Sequence, residues 1–174
     1  EGKARRPGAG AGRSASDSNG SGCRDLPGTS ARAAGALTVG IIAWGKARGV
    51  KVTAETCPHY LTLEESALDG YNTNAKVSPP LRRPEDREAL RRAIKDGTID
   101  IIATDHAPHS AHEKERTLDE APCGFTGMEL ALTLTWQLVR DGVISAADLH
   151  RPWSVRPAAI CNLPLHRFEP GEPA

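Results

Sequence analysis

The segment at residues 99–103 restricts the fold of this chain more than any other stretch. It reads IDIIA, and its apolar side chains are continuous enough to predict a strand buried on both faces, as strands of parallel sheets are. The stretch before it, residues 84–97, has the marks of a helix, with proline and acids in the first turn, bases later and glycine at the end. A helix that leads into a doubly buried strand predicts an α/β fold with a parallel sheet.

Neighbouring segments continue this alternation of helix and strand. Residues 45–49 predict a helix end closed by glycine, and residues 50–56 alternate like a strand. Residues 74–78 predict a weaker strand, stopped by the two prolines after it. Further helices are expected at residues 127–140, 145–149 and 154–160. Because ligands collect at the carboxyl ends of parallel strands, the residues just after 103 are expected at the chemically useful edge.

Charge and composition exclude several classes of function. Lysine plus arginine equals aspartate plus glutamate, at 22 each, so no net field is available to hold a nucleic acid backbone or an anionic membrane. The apolar runs are far shorter than the roughly 20 residues of a membrane span, and no signal-peptide pattern opens the chain. The four cysteines lack CxxC spacing, which predicts reduced thiols. We therefore expect a cytoplasmic protein without nucleic acid or membrane partners.

The first part of the chain differs in composition from the remainder. Residues 1–40 hold nine of the 17 glycines, no histidine and no apolar periodicity, which predicts disorder. Their richness in glycine, alanine, arginine and serine also resembles GC-rich DNA translated in the wrong frame. We interpret residues 1–43 as a disordered or out-of-frame segment.

A cluster of potential metal ligands or proton carriers follows the predicted strand at residues 99–103. It consists of Asp105, His106, His109 and His112. A metal or proton-transfer role and a polar loop with Asp105 as a helix N-cap are both compatible with the spacing. Function is favoured because Asp105 follows a buried strand closely, where its carboxylate needs a compensating partner. Pro108 prevents the three imidazoles from forming one helical face, so they do not predict three ligands of one ion.

Other polar residues have both a functional and a structural interpretation. His59 ends a strand on the same expected edge, but a structural histidine bonded to backbone explains it equally well. Lys76 and Arg82 could meet a substrate carboxylate or be solvated surface bases. Cys123 and Gly124 form a turn in which glycine lets backbone amides approach a ligand, while no neighbour signals an activated cysteine.

Five segments, taken in order, resemble the carboxy-terminal half of a bacterial-type dihydroorotase of the amidohydrolase superfamily. They are TAETCPHYLTL, NTNAKVSPPLR, EDREALRRAIKDGTIDIIATDHAPH, EKE and DEAPCG. The phrases IATDHAPH and PPLR are together highly specific, and the likeness runs from about Trp44 onward. The resemblance implies that residues 44–166 are the carboxy-terminal part of a metal-dependent (β/α)₈ barrel, incomplete in this chain, and that residues 167–174 begin a small β-domain.

The resemblance also implies a reaction and assigns residues to it. The reaction is the interconversion of N-carbamoyl-L-aspartate and (S)-dihydroorotate, a step of pyrimidine synthesis, at a zinc site that activates water. Asp105 is assigned as a zinc ligand and as the catalytic carboxylate that carries a proton from the attacking water to the leaving amide nitrogen. His109 is assigned to the substrate carboxylate, and Cys123 and Gly124 to the substrate ring. Ser78 stands where an asparagine usually contacts the substrate.

The remaining metal motifs of that family are missing from the chain. The HxH motif of the first strand is absent, the last metal histidine should fall near Arg32, and residues 1–58 contain no histidine. Asp105 is then the only expected zinc ligand, and one carboxylate does not retain zinc. We expect the chain by itself to be zinc-free, inactive and poorly soluble, because three strands cannot close an eight-stranded barrel.

Two alternatives to a dihydroorotase stay open. One is an allantoinase or dihydropyrimidinase, since the sequence of residues 55–61 also resembles that of an allantoinase. Such enzymes, however, usually have serine at the positions of Thr104 and Ala107. The other is a non-catalytic dihydroorotase-like subunit of a carbamoyltransferase complex, which would typically lack Asp105. For the intact family we expect dihydroorotate or carbamoyl-aspartate as the substrate, and a homo-oligomer or a carbamoyltransferase partner.

Overall fold

Three strands and seven helices make up the described part of the chain, which in this computed structural model comprises residues 29–165 and 169–171. The strands are β1 (Thr29–Arg32), β2 (Val52–Thr56) and β3 (Ile101–Ile102). The helices are α1 (Ala36–Ala47), α2 (Pro58–Thr62), α3 (Pro84–Lys95), α4 (Ala111–Lys114), α5 (Ala131–Arg140), α6 (Ala146–His150) and α7 (Arg156–Ile160). Glu65–Leu68 and Thr73–Ala75 form 3₁₀ turns, and Arg151–Val155 is a π-helical turn before α7.

The strands form one parallel sheet in the order β1-β2-β3. Thr29 lies opposite Val52, and Glu55 lies opposite Ile101. Parallel strands need long crossover connections, which α1 supplies between the first two strands and the segment containing α3 supplies between the second and third. The prediction of an α/β fold with a parallel sheet is confirmed. All three strands therefore direct their carboxyl ends to the same edge.

Helix α3 forms where its sequence signals predicted it. Pro84 occupies the first turn, Glu85 and Asp86 complement the positive end of the helix dipole, and Lys95 lies in the last turn. Its buried face consists of Leu90, Ala93 and Ile94, which join the core between the helices and the sheet. Within the described residues, no helix is long and apolar enough to cross a membrane.

Two of the predicted elements differ in the structure. The strand expected at residues 74–78 is wrong, because Thr73–Ala75 is a 3₁₀ turn in which the Asn72 side chain accepts from the Asn74 N–H. The carbonyl of Lys76 then accepts from the N–H of Gly124 at 2.9 Å, outside any sheet. The helix expected from residue 127 begins at Ala131, after a turn at residues 128–130.

The predicted disordered segment includes residues that belong to regular secondary structure. Residues 29–43 lie in β1, in most of α1 and in the connection between them. Ala33 and Ile42 are buried, and the Ala33 N–H donates to the Glu55 carbonyl at 2.8 Å. Composition did not reveal this order because small residues suffice to pack against β2. The predicted state of residues 1–28 and most of the predicted β-domain lie outside the described residues.

The cysteines do not all share one state. Cys57 is a buried free thiol and Cys123 an exposed one, as predicted. Cys161 is disulfide-bonded, so the prediction of reduced thiols is wrong there.

A buried carboxylate connects elements at the start of β3. Asp100, 1% exposed, accepts from Lys46 Nζ at 2.5 Å, from the Ala54 N–H at 2.9 Å and from Arg156 Nη2 at 2.5 Å. Burial by itself would raise the pKa of this carboxyl, but the two cations and the amide outweigh it and hold the pKa below its ordinary value. Asp100 thus ties α1, β2 and α7 to β3.

Candidate functional site

The carboxyl edge of the sheet brings together residues from all three strand ends. Arg32 ends β1, Cys57 and His59 follow β2, and Asp105 follows β3. The Cys57 thiol, one ring nitrogen of His59 and one Asp105 carboxylate oxygen all lie within 4.8 Å of one another. Asp105 therefore lies at the edge predicted for it. Of its neighbours there, His59 had an undecided role from the sequence, and no role was predicted for Cys57 or Arg32.

Asp105 is held by an ion pair and by an unusual backbone conformation. Its carboxylate accepts from Arg32 Nη1 at 2.8 Å, and the same guanidinium reaches Glu55 Oε1 from Nε at 3.0 Å. The φ angle of Asp105 is 50°, in the left-handed region that few residues other than glycine, asparagine and aspartate adopt. Such strained positions are typical of functional sites.

His59 and Cys57 are both buried beside this ion pair. His59 is 4% exposed, packs against the rings of Tyr60 and Phe125, and its Nε2 has no hydrogen-bond partner among the described residues. Burial lowers the pKa of His59 to about 4, and burial raises the pKa of the Cys57 thiol to about 12. At neutral pH the pair is an uncharged imidazole and an uncharged thiol.

Three residues assigned to substrate contacts lie together after β3. His109 Nε2 is 3.1 Å from the Cys123 carbonyl oxygen. Gly124 follows with a φ of 117°, and a Cβ added there would lie 2.6 Å from Ala107 Cβ and 3.5 Å from His109 Nε2. The structure thus joins His109, Cys123 and Gly124 in one wall, as expected if they share a ligand. Their contact with substrate stays a prediction.

Two lysines, one buried and one half-buried, hold the loop that contains Cys123 and Gly124. Lys114, 5% exposed, donates to the Pro122 carbonyl at 2.9 Å, and Lys76 donates to the Ala121 carbonyl at 2.5 Å. Lys76 is therefore a structural donor to backbone, which is neither of the roles considered for it. No local pattern in the sequence indicated a role for Lys114, which lies in the EKE segment of the resemblance.

His106 fastens the strand end to the helix that follows. Its Nδ1 accepts from the N–H groups of Gly127 and Met128, each at 3.1 Å, so the proton of the neutral ring lies on Nε2. These bonds attach the segment before α5 to the loop that follows β3. Gly127 permits the approach, because a Cβ there would lie 2.8 Å from the Thr104 carbonyl oxygen.

Among the described residues, no hydrogen bond connects Ser78 to Asp105, His109, Cys123 or Gly124. Ser78 is exposed and precedes Pro79, whose carbonyl accepts from the Tyr60 hydroxyl at 2.6 Å. Its assignment to the substrate stays a prediction.

The residues present do not fit the zinc centre that the sequence resemblance implies. Only Asp105 of the expected ligands is present in the described residues, and Arg32 already holds its carboxylate. A hydrolytic zinc needs three protein ligands and an open position for water. Cys57 and His59 offer two further donors, yet the guanidinium beside them places a positive charge where the metal's charge would lie.

No family model matches the chain, but similar proteins share much of its sequence. Dihydroorotases from Syntrophus aciditrophicus and Geobacter metallireducens are each 48% identical to it, over 144 and 134 residues. These matches cover 83% and 77% of the chain. The chain is homologous to dihydroorotases. It spans about a third of their length, at 34% and 32%.

Solved structures agree with the dihydroorotase homology at the level of the superfamily. Dihydropyrimidinase from Brevibacillus agri superimposes on 75% of this chain with a TM-score of 0.70 and 29% identity. L-Hydantoinase (dihydropyrimidinase) from Arthrobacter aurescens covers 76% of it with a TM-score of 0.72 and 25% identity. The chain matches 30% of each structure. These amidohydrolase barrels support the fold assignment, while the higher identity to dihydroorotases favours that branch.

Replacing Gly124 by alanine tests the close approach in the His109–Cys123–Gly124 wall. We expect a loss of about 1–3 kcal/mol in the free energy of unfolding, because the added Cβ meets Ala107 and the φ angle disfavours it. Urea denaturation followed by circular dichroism measures this. Gly70→Ala is the matched control, since Gly70 also has a positive φ but no atom within 4 Å of the added Cβ. Equal losses in the two variants would contradict the constraint.

Proposed function

We propose that this chain is part of a dihydroorotase-type cyclic amidohydrolase, which interconverts N-carbamoyl-L-aspartate and (S)-dihydroorotate, and that it does not turn over alone. The observation that carries the proposal is the position of Asp105. It lies at the carboxyl edge of a parallel sheet, and the His109–Cys123–Gly124 wall follows it on the same chain segment. Barrel enzymes place their catalytic residues at this edge.

The carboxylate of Asp105 suits the proton transfer that such a reaction requires. In ring opening, water attacks the amide carbonyl, a carboxylate accepts the proton of that water, and the proton then passes to the nitrogen as the C–N bond breaks. In this chain Arg32 stands near the place where the resemblance expects a metal histidine, and its guanidinium is bonded to one oxygen of Asp105 at 2.8 Å. This contact is a local reason for the proposed inactivity.

Exposed apolar side chains support the proposal that the chain is an incomplete barrel. Leu37, Ile41 and Trp44 line one face of α1 and are 78%, 61% and 58% exposed. In a complete barrel, helix faces pack on neighbouring helices and strands. The poor solubility expected of the chain alone agrees with this surface.

A chimera tests the proposed reaction. Residues 29–165 of this chain replace the matched stretch of the Syntrophus aciditrophicus dihydroorotase, with either Arg32 or Arg32→His. We expect the histidine chimera to cyclise carbamoyl-aspartate and the arginine chimera not to do so, as followed by the absorbance of dihydroorotate. A histidine chimera that melts cooperatively but acts on no cyclic amide would contradict the proposal.

The same chimera separates the main proposal from its closest alternative. Ring opening of dihydrouracil or hydantoin in preference to dihydroorotate would assign a dihydropyrimidinase-type activity, the activity named for the structural neighbours. The absence of turnover by the 174-residue chain itself is part of the proposal, so turnover there would overturn that part.

The other expectations that accompany this proposal remain predictions. They are zinc as the metal of the intact enzyme, a homo-oligomer or carbamoyltransferase partner, and a cytoplasmic location. The homology supports a small-molecule substrate for the enzyme.

A further inference from the structure

We propose that Cys57, His59 and Asp105 form a latent site for a thiophilic divalent cation such as Zn²⁺, and that the guanidinium of Arg32 keeps it closed. The proposal does not rest on the proposed function, because metal binding to this chain requires no turnover. The proposed ligand set also differs from the one implied by the sequence resemblance, because only Asp105 belongs to both.

The first support is the convergence of three different donor atoms. A thiol, an imidazole nitrogen and a carboxylate oxygen lie within 4.8 Å of one another. Ligands of a tetrahedral zinc, with bonds of about 2.0–2.3 Å, lie roughly 3.5 Å apart, so closure needs side-chain shifts of about 1 Å. Sulfur and nitrogen donors favour zinc over magnesium or calcium, which take oxygen ligands.

The second support is an unsatisfied polar atom on one of the three donor residues. His59 is 4% exposed, and its Nε2 finds no hydrogen-bond partner among the described residues. Buried polar atoms are bonded in most proteins, and an exception calls for a physical reason. A metal ion bound through Nε2 would supply the missing partner of this atom.

The third support is the position of Arg32, which supplies the positive charge that a metal would otherwise bring. Its Nη1 lies 2.8 Å from Asp105 Oδ1, and its Nε is bonded to Glu55, so the guanidinium is anchored at both sides. A dication cannot share the Asp105 carboxylate with this cation without strong repulsion. Loss of the guanidinium leaves Asp105 without its ion-pair partner and opens the place beside the thiol and the imidazole.

The test compares metal binding by the full chain and by variants at residue 32. Wild type, Arg32→Ala, Arg32→Met and Arg32→Lys are each equilibrated with Zn²⁺, dialysed and assayed for bound metal. Arg32→Met keeps much of the side-chain volume in case Arg32→Ala fails to fold, and Arg32→Lys keeps the cation. We expect about one zinc per chain in the alanine and methionine variants and none retained by wild type or Arg32→Lys.

Substitution of Cys57 locates the bound ion. In Arg32→Ala or Arg32→Met loaded with Co²⁺, we expect a thiolate-to-metal charge-transfer band that disappears when Cys57→Ser is added. Folded alanine and methionine variants that bind no zinc would overturn the proposal. So would zinc that persists with Cys57→Ser, or wild-type protein that binds zinc through Cys57, since Arg32 would then not close the site.

Discussion

Asp105→Asn is expected to lower the ring-closing rate of the Arg32→His chimera by about 10²–10⁴, the usual range for the loss of a general acid–base group. The amide of asparagine has nearly the size of the carboxylate but cannot accept the proton of water. The rate of carbamoyl-aspartate cyclisation measures the effect. A rate within a factor of about three of the parent would remove Asp105 from the chemistry.

The backbone of Asp105 makes asparagine the right replacement. Its φ of 50° is tolerated by asparagine but costs roughly 1–2 kcal/mol for an ordinary residue. Asp105→Ala should therefore destabilise the fold more than Asp105→Asn, while both lose activity. Thermal melting of the two variants distinguishes the loss of chemistry from the loss of fold.

Strands β2 and β3 and helix α3 could be predicted because their signals are local, whereas β1 lay in the segment predicted as disordered. The helix from Pro84 carries its own start and stop residues, and the apolar run at residues 99–103 indicates a buried strand, of which Ile101–Ile102 forms β3. The false strand at residues 74–78 had alternation but no neighbouring strand to pair with. Its backbone is instead bonded to Gly124, a contact distant in sequence that no local pattern encodes.

Of the candidate site, only the position of Asp105 could be predicted, because it depends on a single strand. Asp105 follows β3 directly, so its position at the edge followed from the strand. Arg32 and Cys57 reach it from two other strands, and their meeting depends on the sheet order and register. Arg32 was expected near the place of a missing metal ligand, but its bond to Asp105 required the structure. His59 was considered for a functional role, but the position is not among the metal ligands of the family that the sequence resembles.

Asp100→Asn is expected to produce the largest loss of stability in the chain. Removing one partner from a buried ion pair costs about 3–5 kcal/mol, and the partial exposure of Lys46 and Arg156 places this case near the lower end. Asparagine still accepts one hydrogen bond but leaves two cations without a counter-charge. Urea denaturation at pH 7 measures the loss. Asp141→Asn is the matched control, because Asp141 is exposed and bonds to Gln137, and it should change stability by less than about 0.5 kcal/mol.

The dependence of this loss on pH identifies its electrostatic origin. The pKa of Asp100 is lower in the folded chain than in the unfolded one, so its stabilisation is complete above the unfolded pKa of about 3.9 and is lost as the pH falls through the folded value. The difference in unfolding free energy between wild type and Asp100→Asn should be constant from pH 7 to about pH 5 and should shrink below about pH 4. Other acids titrate equally in both proteins and cancel in the difference. A difference independent of pH down to the acid transition would mean that Asp100 acts through its shape and hydrogen bonds and not through its charge.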